Sequence, residues 1–235
     1  MKEINRVVIK ISGEAFSGGD GFGISDEKTE KIALQLKQIH EKGIQTAVVL
    51  GGGNFWRARQ NPDIERVTAD QIGMLATVMN SLALESAMKK LGVPCAVMSA
   101  FGVEGIAGAL YLSDAKLCLE HGNVVIFAGG TGSPYFTTDT TGALRAAEIG
   151  ADMYLCAKHV DGVYDSDPRK NPSAKRFDRL TFDEVLKRRL GAMDLTAMTM
   201  CMENDISVLI FDCLAEDAVL NAAVGKKTGT IIENA

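Results

Sequence analysis

Asn123-Val-Val-Ile-Phe-Ala-Gly-Gly130 runs into Thr131-Gly-Ser-Pro-Tyr-Phe-Thr-Thr-Asp139 and then into a helical pattern from Thr140 to Gly150. A short apolar run closed by glycines reads as a strand buried on both faces. The loop of small residues and hydroxyls after it feeds a helix start. In open α/β sheets ligands bind at such places, beyond the carboxyl ends of strands and beside helix N-termini with free N–H groups. Thr131, Gly132, Ser133, Thr137 and Thr138 offer donors to an anion, and Tyr135 and Phe136, after Pro134, offer a flat apolar wall. That combination suits a nucleotide monophosphate.

Working outward, the same strand, turn and helix order recurs. Val7–Ser12 reads as a buried strand that breaks at Gly13, and residues 16–24, with four glycines, read as a mobile loop. Ser25 or Asp26 caps a helix that runs to about Lys42. Gln45–Leu50 is a second strand, and Gly51-Gly-Gly-Asn-Phe-Trp-Arg57 leaves its carboxyl end. From Thr68 to Leu91, residues Ile72, Leu75, Ala76, Met79, Leu82 and Ala83 recur at helical spacing, with Thr68 and Gln71 as a capping box. Asp70, Gly73, Thr77 and Ser81 form another face, small and polar, with room for a ligand near Asp70. Further strands are expected at 95–99, 123–128, 152–157, 207–212 and 228–233, the last at a sheet edge. Helices are expected near 113–121, 140–149, 181–189, 194–204 and 216–223. This alternation predicts an α/β fold. A single domain over 1–235 is expected, with lobes dividing near Gly150.

The composition narrows the partners. The chain has 235 residues, 46% of them hydrophobic, enough for one large core. A formal charge of −5 without a long basic run argues against nucleic acid as a main partner. The five cysteines (95, 118, 156, 201 and 213) are scattered and never form Cys-x-x-Cys, which predicts free thiols in a reducing, cytoplasmic setting. The N-terminus runs straight into a strand, and no apolar segment is long enough to span a bilayer, so no membrane association is expected.

Neither G-x-x-x-x-G-K-[ST] nor G-x-G-x-x-G occurs. Glycines cluster instead at 13, 51–53 and 129–132, each after an expected strand, so three turns could converge on one crevice. Lys10 interrupts the apolar run Val7–Ile11. Either it points outward from a half-exposed strand or it is held near an anion at the strand end, which the following Ser12-Gly13 favours. Arg57 carries a forked cation suited to phosphate oxygens. Asp139 either serves the start of the next helix, the plainer reading, or orients Lys10 or a metal–phosphate group across the crevice. Val160-Asp-Gly-Val-Tyr-Asp-Ser-Asp-Pro168 reads as an acidic turn and lacks the glutamate of a calcium loop. The histidines have no nucleophile signature beside them, and the methionines at 193, 198, 200 and 202 read as core or subunit-contact filler.

Together, Lys10-Ile-Ser-Gly13, Gly51–Arg57, Ala69-Asp-Gln-Ile-Gly-Met-Leu-Ala-Thr-Val-Met-Asn80, Gly130–Asp139 and Val160-Asp-Gly-Val-Tyr164 resemble, in order and across the whole chain, the bacterial uridylate kinases of the amino acid kinase superfamily. The resemblance implies a three-layer αβα sandwich with a mainly parallel sheet, like acetylglutamate and carbamate kinases. It implies Mg²⁺-dependent transfer of the γ-phosphate of ATP to UMP. Lys10, Arg57 and Asp139 would be catalytic. Lys10, Ile11, Ser12, Gly13, Gly53 and Arg57 would meet the ATP phosphates, Tyr164 and Asp167 would lie along the adenosine, and Lys158 would belong to the ATP site at a position near the adenine. Gly52, Asp70 and Thr131–Thr138 would hold UMP, with Asp70 on the ribose. Residues 1–150 would serve UMP and oligomerisation, residues 151–235 ATP. Mg²⁺ would be held by the ATP phosphates, with no dedicated protein site. The family further implies a homohexamer, UTP inhibition and often GTP activation, linked to the loop Gly18, Gly19, Asp20, Gly21, Phe22, Gly23. Ser133 stands where that family has asparagine, Lys158 where it has threonine or asparagine, and Phe101–Leu112 departs from its pattern. Rival readings are a kinase for a carboxylate or carbamate acceptor and a nucleotide-binding regulatory protein without catalysis.

Overall fold

In the chain's computed structural model, residues 4–57, 63–213 and 215–235 are described. Their strands are β1 Arg6–Ile11, β2 Gln45–Leu50, β3 Cys95–Ser99, β4 Gly108–Ala109, β5 Val124–Ala128, β6 Met153–Lys158, β7 Arg179–Thr181, β8 Ser207–Asp212 and β9 Gly229–Glu233. The helices are α1 Asp26–His40, α2 Arg66–Lys90, α3 Leu112–Glu120, α4 Thr138–Ile149, α5 Phe182–Arg188, α6 Leu195–Glu203 and α7 Ala218–Ala223. The strands form one sheet in the order β4-β3-β5-β2-β1-β6-β8-β9-β7. Every pairing is parallel except β8 with β9. Among the described residues, no helix is long and apolar enough to cross a membrane.

The pleat divides the core in two. Val7, Ile9 and Ile11 of β1 point to one face and pack with Ile32, Leu36 and Ile39 of α1, Leu84 and Met88 of α2 and Val219 of α7. Val8 points to the other face, into a cluster with Ala143 and Ala146 of α4, Phe182 of α5 and Met198 of α6. Helices therefore cover both faces of a buried sheet, the expected three layers. Because side chains alternate with period two, Lys10 falls on the Val8 face, beneath α4.

The expected elements are present, with three corrections. The last strand does not lie at an edge, since β9 sits between β8 and β7. Three residues of β7 are enough to cover it, and so short a strand has no readable period. The helix expected from Thr68 begins at Arg66, and Glu65 precedes it without a side-chain cap. Thr68 therefore lies within the first turn, and the expected capping box with Gln71 does not form. A 3₁₀ turn, Gly13–Phe16, and strand β4 were not expected at all.

One packing contact fixes the seat of α4. Tyr154 of β6 is fully buried, and its hydroxyl donates to the Asp139 carbonyl at 3.2 Å. A Cβ on Gly142 would lie 2.3 Å from that hydroxyl. Gly142→Ala is thus expected to lower stability by about 1–3 kcal/mol through overpacking, read as a lower urea midpoint at unchanged slope. An unchanged midpoint would mean that α4 is not seated on this ring.

Candidate active site

Strands β5, β2, β1, β6 and β8 run parallel and so end at the same rim of the sheet. The turns after β1 and β2 touch there: a Cβ on Gly13 would lie 2.6 Å from the Gly53 nitrogen and 2.7 Å from the Gly51 oxygen. A Cβ on Gly52 would lie 2.6 Å from the Gly73 carbonyl of α2. These glycines are needed for close approach of backbone to backbone. The third turn is joined to the same group, since the Gly129 N–H donates to Thr77 Oγ1 of α2 at 2.8 Å. The three glycine turns do converge.

At the rim of β1, Lys10 is buried and its Nζ lies 3.1 Å from Asp139 Oδ1. Lys158, the last residue of β6, donates to Asp139 Oδ2. One carboxylate is thus shared by two lysines. Asp139 is free to do this because Thr137 caps α4, its hydroxyl accepting from the Asp139 and Thr140 N–H groups at 3.1 and 3.2 Å. The plainer reading of Asp139, as a helix-start residue only, is superseded. Burial alone would raise the Asp139 pKa, but Lys10 and Lys158 outweigh it and hold the carboxyl below its ordinary 3.8. Burial alone would lower the Lys10 pKa, but the Asp139 carboxylate beside it holds it above its ordinary 10.5. Lys10 and Asp139 therefore both stay ionised around neutral pH.

Beside this trio lies a cavity of about 560 Å³ between α2, the Gly51–Gly53 turn and the 130–138 loop. Gly52, Asp70, Thr131, Ser133, Phe136, Thr137 and Thr138 line it, as do Gly53 and Arg57. Gly132, Pro134 and Tyr135 are not among its lining residues. Tyr135 is 65% exposed, and its ring lies 5.5 Å beneath the Arg66 guanidinium. Of the expected aromatic wall, Phe136 alone therefore faces the cavity. Tyr135 instead contributes its backbone: at φ 72° its N–H donates to Asp70 Oδ2 at 2.8 Å. Arg66 Nε donates to the same oxygen at 2.7 Å. The loop's far end is anchored by Asp194, the N-cap of α6, which accepts from Thr137 and, at 3.0 Å, from Thr140.

On the β1 and β6 side, Ser12 and Gly13 present backbone at the rim, whereas the Ile11 side chain is core. Arg57 lies 2.5 Å from Glu14, whose other oxygen lies 3.0 Å from His159 Nε2. Tyr164 donates to Asp161 at 2.7 Å, and Asp167 accepts from the Arg169 N–H at 3.0 Å, closing the acidic turn. Lys158, expected in the ATP site, directs its amine to Asp139. The loop Gly18–Gly23 is tied to the Gly51–Arg57 turn, with the Gly23 N–H on the Asn54 carbonyl at 3.0 Å. Reading the sequence missed Glu14, Arg66 and Asp194. Only Asp194 carried a usable signal there, as a helix-capping residue before Leu-Thr-Ala.

The amino acid kinase family model matches residues 5–212. The uridylate kinase of Deinococcus radiodurans is 48% identical over 232 residues, covering 97% of this chain and 95% of that protein. The crystal structure of a UMP kinase from Ureaplasma parvum superposes with a TM-score of 0.94 at 39% identity, covering 99% of this chain and 100% of that one. The UMP kinase structure from Bacillus anthracis gives 0.95 at 32% identity, covering 99% and 97%. The uridylate kinase structure from Archaeoglobus fulgidus gives 0.75 at 28%, covering 96% and 99%.

The shared carboxylate has a measurable signature in stability. Asp139→Asn leaves two partly buried lysines without a counter-ion and should cost about 3 kcal/mol at neutral pH. Because the native Asp139 pKa is lowered, its contribution is complete above the unfolded value of 3.8 and is lost as pH falls through the native value. Lys10, raised, contributes fully below 10.5 and loses its share as pH rises through its native value. The urea-midpoint gap between the two proteins should therefore hold steady from about pH 5 to 9 and close in acid. A gap independent of pH would remove the ion pairs as its cause.

Proposed function

The chain belongs to the amino acid kinase family, and on that premise we propose that it works as a UMP kinase, transferring the γ-phosphate of ATP to UMP to give UDP and ADP in pyrimidine nucleotide synthesis. One observation carries the reading beyond family membership: the start of α4 lines a cavity of about 560 Å³ through Thr137 and Thr138, and its next residue, Asp139, holds the Lys10 and Lys158 amines.

The acceptor is a phosphate oxygen, whose second pKa of about 6 leaves it largely ionised at neutral pH. No strong base is required, and Asp139, held ionised by two lysines, is unsuited to be one. The task is to align two mutually repelling anions and neutralise charge on the moving phosphoryl group. Lys10 and Lys158 stand where that charge develops, Asp139 fixes their amines, and the start of α4 adds its N-terminal dipole. Arg57 reaches the ATP phosphates by exchanging Glu14 for phosphate oxygen, an anion it binds in forked geometry. Ser12, Gly13 and Gly53 line the phosphates with backbone, while Tyr164 and Asp167 flank the adenosine. Asp70 exchanges its Arg66 and Tyr135 partners for ribose hydroxyls.

Mg²⁺ fits this site as a passenger of ATP. The carboxylate at the phosphate end is already shared by two lysines, and a magnesium ion held through phosphate oxygens and water needs few protein ligands. When bound, Mg²⁺ neutralises phosphate charge and orients the γ-phosphate. In this reading residues 1–150 carry the acceptor site and residues 151–235 the ATP site. The reading includes a homohexamer, and Leu75 and Met79 of α2, 50% and 45% exposed, are apolar side chains open to contact between copies. The same reading places the enzyme in the cytoplasm, with UTP as feedback inhibitor and Gly18–Gly23 as effector loop.

A coupled ADP-release assay over UMP, CMP, acetylglutamate and carbamate tests the substrate. Turnover with UMP should exceed each of the others by at least about 100-fold, since groups placed for one ligand are left unpaired by another. Equal rates with UMP and CMP would contradict uracil selectivity, and no turnover with any acceptor would favour a regulatory binding protein. Asp70→Ala should raise the KM for UMP by about tenfold and leave that for ATP near the wild-type value. A rise confined to ATP would reverse the assignment of the two sites.

A further inference from the structure

Two buried asparagines lie beneath the glycine turns and belong to none of the roles above. Asn54, in the turn after β2, is 1% exposed, and Asn80, in the middle of α2, is fully buried. Their amides face each other and exchange hydrogen bonds: Asn54 Nδ2 donates to Asn80 Oδ1 at 2.9 Å, and Asn80 Nδ2 donates to Asn54 Oδ1 at 2.8 Å. The second hydrogen of each amide goes to a different backbone carbonyl. Asn80 donates to Gly51 at 2.7 Å, and Asn54 donates to Gly23 at 2.8 Å. All four donors are used, and the two carbonyl partners fix which way each amide points.

The pair therefore has three connections. It holds the first residue of the Gly51–Gly53 turn against α2. It also lies against the turn after β1, because a Cβ on Gly13 would come within 2.6 Å of Asn54 Oδ1. Finally it reaches the Gly18–Gly23 loop, which returns a bond from the Gly23 N–H to the Asn54 carbonyl at 3.0 Å. That loop sets Phe22 edge-on against Phe55, with ring centroids 5.7 Å apart. Phe22 is 63% exposed, so solvent or a ligand can reach the loop from outside.

We propose that Asn54 and Asn80 are positioning residues: their amide pair sets the Gly51–Gly53 turn and couples it to the Gly18–Gly23 loop, so that a change of order in the loop alters phosphate alignment. The physical basis is the cost of an orphaned donor or acceptor in a dry site. A shift of the loop that withdraws the Gly23 carbonyl leaves an Asn54 hydrogen unpaired, and the pair must re-form with a changed hold on Gly51. The catalytic half of this proposal rests on reading the turn as the phosphate site. The coupling half does not.

Trp56 is the only tryptophan in the chain and stands in the same turn, so its fluorescence reports on the turn without nucleotide. In Asn80→Ala, acrylamide quenching of Trp56 should at least double, and kcat should fall at least tenfold while each KM changes less than threefold. Phe22→Ala should change both readouts in the wild-type background and leave both unmoved in Asn80→Ala. Additive effects of the two substitutions, or unchanged quenching in Asn80→Ala, would overturn the proposal. If Asn80→Ala does not fold, Asn54→Asp, which keeps volume but loses both donors, takes its place with the same expectations. Non-additive quenching in a protein that turns over no acceptor would uphold the coupling and remove only the functional reading.

Discussion

Asp139 is the constraint to which the site is built. A carboxylate with 12% of its side chain exposed is tolerated at the sheet rim only because Lys10 and Lys158 approach it from neighbouring strands. The pleat puts Lys10 on the α4 face, and β6 delivers Lys158 at its last residue. Helix α4 must then sit low enough to bring Asp139 down to both amines. Gly142 permits that depth by leaving room for Tyr154, and Thr137 takes over capping so that the carboxylate is free. Asp194 pins the same helix start from α6. Remove the shared charge and two partly buried lysines remain with no reason to converge.

Around this centre the polar groups at and beside the cavity are paired with one another. Asp70 holds Arg66 and the Tyr135 N–H, and Glu14 lies between Arg57 and His159. In the proposed function each arrangement exchanges one polar partner for another as a nucleotide binds. Such exchange limits the net gain from any single contact, because the incoming bond replaces one already made. It also favours ligands that replace every partner at once and disfavours those that leave a carboxylate or guanidinium unpaired.

Much of this architecture was legible in the sequence. Apolar runs closed by glycine marked the buried strands, and the lysine inside Val7–Ile11 stood out, although the sequence left open whether it faced outward or an anion. The turns at 13, 51–53 and 129–132 were readable because tight turns after strands require glycine. Strands of two or three residues, β4 and β7, have no period to detect, so the edge was assigned to β9 wrongly. The Lys158–Asp139 contact was not legible, because position along the chain says nothing of which way a strand-end side chain turns. The Asn54–Asn80 pair joins residues 26 apart through a contact that only packing creates. No pattern of spacing announces it.

The central claim is that Lys10 and Lys158, held by Asp139, meet the phosphoryl group in transfer between ATP and UMP. A crystal structure with UMP and a non-hydrolysable ATP analogue tests it most directly. The account predicts the γ-phosphate within hydrogen-bond reach of both lysine amines, about 3 Å, and in line with a UMP phosphate oxygen in the cavity bounded by Asp70 and Phe136. A γ-phosphate bound away from Lys10, or UMP bound outside that cavity, would contradict it.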